Sequence, residues 1–190
     1  ARQIPLFQDS EVGFVSCKSW VLNESSNISQ KMHKNDLPIG WVLSQLVEQY
    51  FLVLSSLVIR KSAFYSMGEG FDPTLHILGD IDFMVRLAIN WKLDCPQDEL
   101  AVYRLHEDNM GQNQRETHAR EYNKVVKKFR ENEFINKLPE LDNLENELIY
   151  VEGQRYIIKK DIKKAIITIN SLPWGKLKIK LAIRFSYTIN

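Results

Sequence analysis

The stretch that most constrains this chain is a glycine-punctuated turn followed at once by an acidic helix start. It reads Gly70-Phe71-Asp72-Pro73-Thr74-Leu75, then Leu78-Gly79-Asp80-Ile81-Asp82-Phe83-Met84-Val85-Arg86-Leu87-Ala88. Gly68 and Gly70 break the chain. Ile81, Met84, Val85, Ala88 and Ile89 then recur at helical spacing, which predicts an amphipathic helix over 80–91. Asp80 and Asp82 fall in its first turn, where carboxylates suit the positive end of the helix dipole. Upstream, 54–59 is a short apolar run read as a buried strand, and Ser62 stands where an N-cap belongs. Downstream, 92–95 and 100–105 read as strands parted by Pro96-Gln97-Asp98-Glu99. This order predicts an α/β fold, a mixed sheet with flanking helices.

Residues 12–21 read as a strand, 23–36 as a polar loop, and 40–52 as a helix with Trp41, Val42, Leu46, Val47, Tyr50 and Phe51 on one stripe. Trp41 and Trp91 are expected in core or edge packing. After Gly111 the character changes, which divides the chain into 1–111 and a basic, mainly helical 112–190. Within the second part 113–132, 138–151 and 155–170 read as helices. The last of these turns Ile158, Ile162, Ala165, Ile166 and Ile169 one way and crowds Lys159, Lys160, Lys163 and Lys164 on the other. Leu172-Pro173-Trp174-Gly175 is a stop. Every odd position from Leu177 to Ile189 is apolar, which is strand period. A lone strand of that length would leave an exposed edge, so strand and helix both stay open there.

A chain of 190 residues, 44% hydrophobic and 26% charged, has a globular balance and room for one domain with a real core plus an appendage. That composition argues against disorder. Cys17 and Cys95 lie in apolar stretches and read as buried, reduced thiols. No leader pattern or bilayer-length apolar run is present, so a soluble, cytoplasmic protein is expected. Charge is uneven. From Arg155 onward there are nine basic residues and one acid, Asp161, so the tail carries +8 and the body −7. The tail is a solvated face, or it meets an anionic membrane surface, where each Lys or Arg contributes on the order of 1 kcal/mol. The second choice would put the protein at the inner face of a membrane. Nucleic acid is set aside, because aromatic interleaving is thin. His33, His76 and His118 form no ligand spacing, and the sequence has no phosphate-cradling glycine loop, Cys/His cluster or nucleophile elbow.

With Tyr103-Arg104-Leu105-His106 closing the run, residues 11–111 resemble the acceptor-side half of a family 2 glycosyltransferase of the GT-A fold. That family has a similar order: a serine-rich strand ending in Arg, Gly-x-Phe-Asp, an acidic pair, a helix carrying Arg, and Tyr-Arg-x-His. The resemblance implies a partial GT-A-like mixed sheet. It implies an inverting enzyme that moves a sugar from a nucleotide-sugar to a hydroxyl acceptor, such as a glycan, a lipid-linked sugar or a cell-envelope polysaccharide. It also implies a divalent metal, Mn or Mg, for the complete enzyme and none held by this chain alone. Asp80-Ile81-Asp82 spells the family's metal-binding pattern, but it opens a helix after the Gly-Phe-Asp turn and belongs to the acceptor side. The donor-nucleotide half has no counterpart here, so the chain is expected to be a fragment that does not catalyse alone.

The resemblance makes Asp80 the catalytic base; the residues alone make it a helix cap. Gly79 stands where the family has a second acid, whose like charge would raise its partner's pKa. Asp82 is expected to pair with Arg86 one turn on, as a structural pair. By the same resemblance His106 reaches the metal or the donor diphosphate, Arg104 counters phosphate charge or pairs with a carboxylate, and the loop 107–111 closes over the nucleotide. The competing reading is a non-catalytic interaction module that keeps the acceptor-half scaffold.

Overall fold

The computed structural model describes residues 2–106 and 115–189. The chain forms two compact units, Ala1–Glu121 and Tyr122–Asn190. The first is mixed α/β. In order it contains β1 (Val12–Val15), β2 (Lys18–Asn23), β3 (Ile28–Lys31), α1 (Leu43–Glu48), β4 (Val58–Ile59), α2 (Lys61–Ser66), α3 (Gly79–Leu87), β5 (Lys92–Asp94) and β6 (Glu99–Leu105). The strands make two small sheets, β4-β1-β5 and β3-β2-β6. In each, the central strand is antiparallel to one neighbour and parallel to the other: β1 to β4 and β5, β2 to β3 and β6. All four β1 residues are buried, as a central strand covered on both faces requires.

Residues 12–21, expected as one strand, are split between the two sheets. The reason lies on the facing chain. Pro96 has no N–H to donate, and Gln97 has a left-handed backbone, φ 60°. The parallel ladder therefore breaks between β5 and β6, and β1 and β2 part with it. Backbone bonds still span the gap, from Ser16 N to Asp94 O at 3.0 Å and from Lys18 N to Asp98 O at 3.1 Å. Cys17 and Cys95 sit at the break, buried and not disulfide-bonded, and burial pushes both thiols up.

Several local expectations change. The polar loop at 23–36 contains β3, an edge strand exposed at all four positions, so no apolar alternation marks it. The run 54–59 is a 3-10 turn, Leu54–Ser56, followed by the two-residue β4. There the Ser56 hydroxyl donates to Val53 O at 2.7 Å, competing with a ladder. Ser62 is not an N-cap: α2 begins at Lys61 behind Arg60, which makes no side-chain cap bond. Instead the Arg60 guanidinium donates to the carbonyls of Val12, Phe7 and Asp9 at 2.7–2.8 Å, fastening the N-terminal segment to the sheet. The helix at 40–52 shrinks to α1. Gly40 is drawn to the β5 edge by paired bonds with Leu93 of 2.7 and 2.9 Å, at a φ of 86° that suits glycine. Trp41 is exposed beside Lys92, whereas Trp91 packs so closely on Gly13 that a Cβ there would lie 2.4 Å from the Trp91 Cβ. The α3 residues Phe83, Met84, Val85 and Leu87 are fully buried. Side chains of this size contribute about 1.5–3 kcal/mol each when removed from water.

The second unit is helical. α4 (Arg115–Glu131) spans the boundary, and α5 (Pro139–Ile158), α6 (Ile162–Ser171) and α7 (Lys176–Ile189) follow. Pro139 starts α5, with Glu140 and Asp142 in its first turn, all favourable at an N-terminus. Arg130 of α4 grips Glu145 of α5 with two bonds of 2.7 Å and also meets Asp142. The helix expected over 155–170 is divided: Lys160 takes φ 56°, and Asp161 caps α6 by accepting Lys164 N at 3.2 Å. The open question at 177–189 resolves as helix α7. Ile157, Ala165, Leu172 and Leu181 form the buried centre, with Leu177, Phe185 and Ile169 packed on it. Gly153 of α5 lets both later helices in; a Cβ there would lie 2.3 Å from Leu181 Cδ2 and 3.1 Å from Thr168 Cγ2. Among the described residues no helix is long and apolar enough to cross a membrane.

Candidate active site at the start of α3

A helix start leaves backbone N–H groups without partners. Glu121, far away in sequence, takes one of them, the amide of the N-cap Leu78, together with the two amides before it. The Glu121 carboxylate accepts from His76 N at 2.9 Å through Oε1, and from Ile77 N at 2.8 Å and Leu78 N at 3.1 Å through Oε2. Glu121 is fully buried. Burial alone would raise its pKa; the three amides, aided by His76, outweigh that and hold it below the ordinary glutamate range. Just before, Asp72 closes the Gly-Phe-Asp turn locally, accepting from Thr74 N at 2.9 Å and Thr74 Oγ1 at 2.8 Å. Phe71 stacks on Phe83 of α3 with centroids 4.4 Å apart.

Asp80 is the second residue of α3. It is not the N-cap: Leu78 holds that position, without a side-chain cap bond. The Asp80 carboxylate is half-buried and accepts a hydrogen bond of 3.3 Å from the Tyr50 hydroxyl, which arrives from just beyond α1. Burial pushes the Asp80 carboxyl above the ordinary aspartate value, while the amides of Ile81 and Asp80 and the Tyr50 hydroxyl partly hold it down. Burial and the adjacent carboxylate also push the Tyr50 phenol well up, so it remains a donor. Protonation of Asp80 would weaken the bonds from the Ile81 and Asp80 amides, while the amides of residues 76–78 ahead of the helix stay with Glu121.

His33 braces the Tyr50 segment. Its Nδ1 accepts from Ser19 N at 3.3 Å, which leaves Nε2 to donate to Phe51 O at 2.9 Å. The sequence assigned nothing to His33 and placed Tyr50 in a packing stripe. It held no signal for Glu121, whose partners lie about 45 residues away.

Asp82, fully buried, forms an ion pair of 2.8 Å with Arg86. Arg86 also donates to Gly70 O at 3.1 Å, tying the glycine turn to α3. Arg104, on β6, pairs with Glu24 just past β2, its Nε at 2.6 Å from Oε1. His106 follows β6, half-buried. The loop 107–111 lies outside the described residues. Among the described residues no three His, Cys, Asp or Glu side chains converge as a metal site. Comparison with protein-family models and with curated proteins gives no match for this chain.

Proposed function

We propose that the chain is part of an inverting glycosyltransferase and that Asp80 is its general base. The observation that carries this reading is a half-buried carboxylate with a raised pKa at the rigid start of α3, held by Tyr50. A base is most effective when its pKa approaches the working pH, and burial moves Asp80 in that direction. In this reading the acceptor hydroxyl gives its proton to Asp80 as its oxygen bonds to the anomeric carbon. The glycosyl–phosphate bond breaks on the opposite side, and the nucleoside diphosphate leaves with the electron pair. The donor nucleotide, and any metal on its diphosphate, would be held by groups outside the site described above.

The second reading, a non-catalytic interaction module, is favoured by one contact: Arg104, which the resemblance assigns to the diphosphate, is paired with Glu24. Sugar transfer measured in the full-length gene product separates the two. Asp80→Asn should lower kcat by about 10²–10⁴-fold, as loss of a positioned base does, with the acceptor KM little changed. Transfer at the wild-type rate would exclude Asp80 as the base. If the wild type transfers sugar from none of the uridine or guanosine nucleotide-sugars, the interaction module stands.

A further inference from the structure

In the second unit, α6 and α7 both touch Gly153 of α5, through Thr168 and Leu181. They therefore lie side by side on α5, and their buried positions face it. Helical geometry then sets what points away. On α6 the positions opposite Ala165 and Thr168 are Ile166, Ile167, Lys163 and Asn170. On α7 the positions opposite Leu181 are Ile179, Ile183 and Lys176, with Lys180 alongside. All of these are exposed. The linker between the helices raises Trp174, which is 85% exposed.

Four outward isoleucines and a tryptophan are more apolar surface than two short helices need for their own fold, because Ala165, Leu172, Leu177, Leu181 and Phe185 already make the core. The same helices carry lysines among those isoleucines. The single acid in 159–190, Asp161, is committed: it caps α6 and pairs with Lys164 at 3.3 Å. Lys178 is committed too, donating to Leu172 O at 3.1 Å at the end of α6. That leaves Lys163, Lys176 and Lys180 exposed with no carboxylate of α6 or α7 beside them, although Glu147 of α5 borders the same cleft as Trp174 and Lys176.

We propose that this α6–α7 face docks on an anionic lipid bilayer surface. Isoleucine and tryptophan side chains enter the headgroup boundary, and the lysines meet the lipid phosphates and carboxylates. Interleaved apolar and basic side chains, with no acid on the outward positions of α6 or α7, match such a surface. An acidic protein groove would require no ring as exposed as Trp174, and nucleic acid would leave the isoleucines uncovered. The inference does not depend on the glycosyltransferase reading.

Flotation of the 190-residue chain with vesicles tests it. Binding is expected to phosphatidylcholine vesicles containing phosphatidylserine, not to phosphatidylcholine alone, and to weaken as salt rises. Lys163→Gln, Lys176→Gln and Lys180→Gln together should lower the partition coefficient roughly a hundredfold, about fivefold per lysine. Ile167→Ser with Ile183→Ser should abolish the blue shift of Trp174 fluorescence on binding, while Lys61→Gln, in the first unit, leaves it intact. Circular dichroism confirms that each variant keeps its helices; as every substituted side chain is exposed, it should. Equal binding to neutral vesicles, or none to anionic ones, overturns the proposal. So does a wild-type dimer in light scattering that the isoleucine variants dissolve, which would assign the face to a second copy of this chain.

Discussion

Replacing Glu121 by glutamine alters the approach to α3 at a single atom pair. The carboxylate serves three amides, two through one oxygen and one through the other. In Glu121→Gln the amide oxygen can keep Ile77 and Leu78, but its NH₂ then faces the N–H of His76, donor against donor. One bond is lost, a buried donor is left unmet, and the remaining two lose their charge. Hydrogen bonds to a charged group contribute about 1.5–3 kcal/mol net, and an unmet buried donor costs about 1–3 kcal/mol. A loss of about 2–4 kcal/mol for Gln is expected, and at least as much for Ala. Hydrogen exchange should localise it: the amides of His76, Ile77 and Leu78 should exchange faster in the variant, while those of α6 and α7 are unchanged. The effect also has a pH signature. The folded Glu121 pKa lies below its unfolded value, so its stabilisation is complete above the ordinary glutamate range. It is lost as pH falls through the lowered value. The wild type should therefore lose stability in acid along a limb that the Gln variant lacks. A cost under about 1 kcal/mol, or unchanged protection at residues 76–78, would refute the clasp.

Asp80 has the opposite sign. Its folded pKa is raised, so its ionised form opposes folding at neutral pH, and that penalty vanishes below the unfolded aspartate value. Asp80→Asn should raise the urea midpoint at neutral pH and lose the gain in acid. Tyr50→Phe removes a donor to the carboxylate and should move the Asp80 titration higher still, read by carboxyl-carbon NMR. Gly13→Ala places a Cβ against the backbone-anchored Cβ of Trp91 and should cost about 1–3 kcal/mol in urea unfolding, as overpacking does. Asp161→Ala removes the α6 cap and should cost about 0.5–2 kcal/mol, seen as lower helicity and an earlier thermal transition.

What the sequence disclosed follows the range of the interaction. The α3 helix and the pairing of Asp82 with Arg86 depend on spacings within one or two turns, and those spacings are written locally. The split of β1 from β2 is not, because Pro96 and Gln97 on the facing chain decide it. The environment of Asp80 is equally non-local: Tyr50 comes from 30 residues upstream, and Glu121 from beyond the second sheet. In α7 the signal itself was ambiguous. Leu177, Leu181 and Phe185 stand four apart, which is both even spacing and one helical face. The additional Ile179 and Ile183 complete a strand-like alternation although they belong to the outward side of a helix.

The parallel ladders set a timetable for folding. Val12 meets Lys92 and Lys18 meets Glu99, partners separated by roughly eighty residues, and loop closure over such a distance is slow relative to contacts between consecutive helices. The α5–α7 helices meet neighbours adjacent in sequence, so the carboxyl-terminal unit is expected to assemble in an early phase. β1 and β2 wait with open edges until β5 and β6 arrive. Refolding followed by stopped-flow fluorescence should show that interval as a separate slow phase. During it the apolar β1 strand is the segment of this chain most exposed to pairing with a stranger.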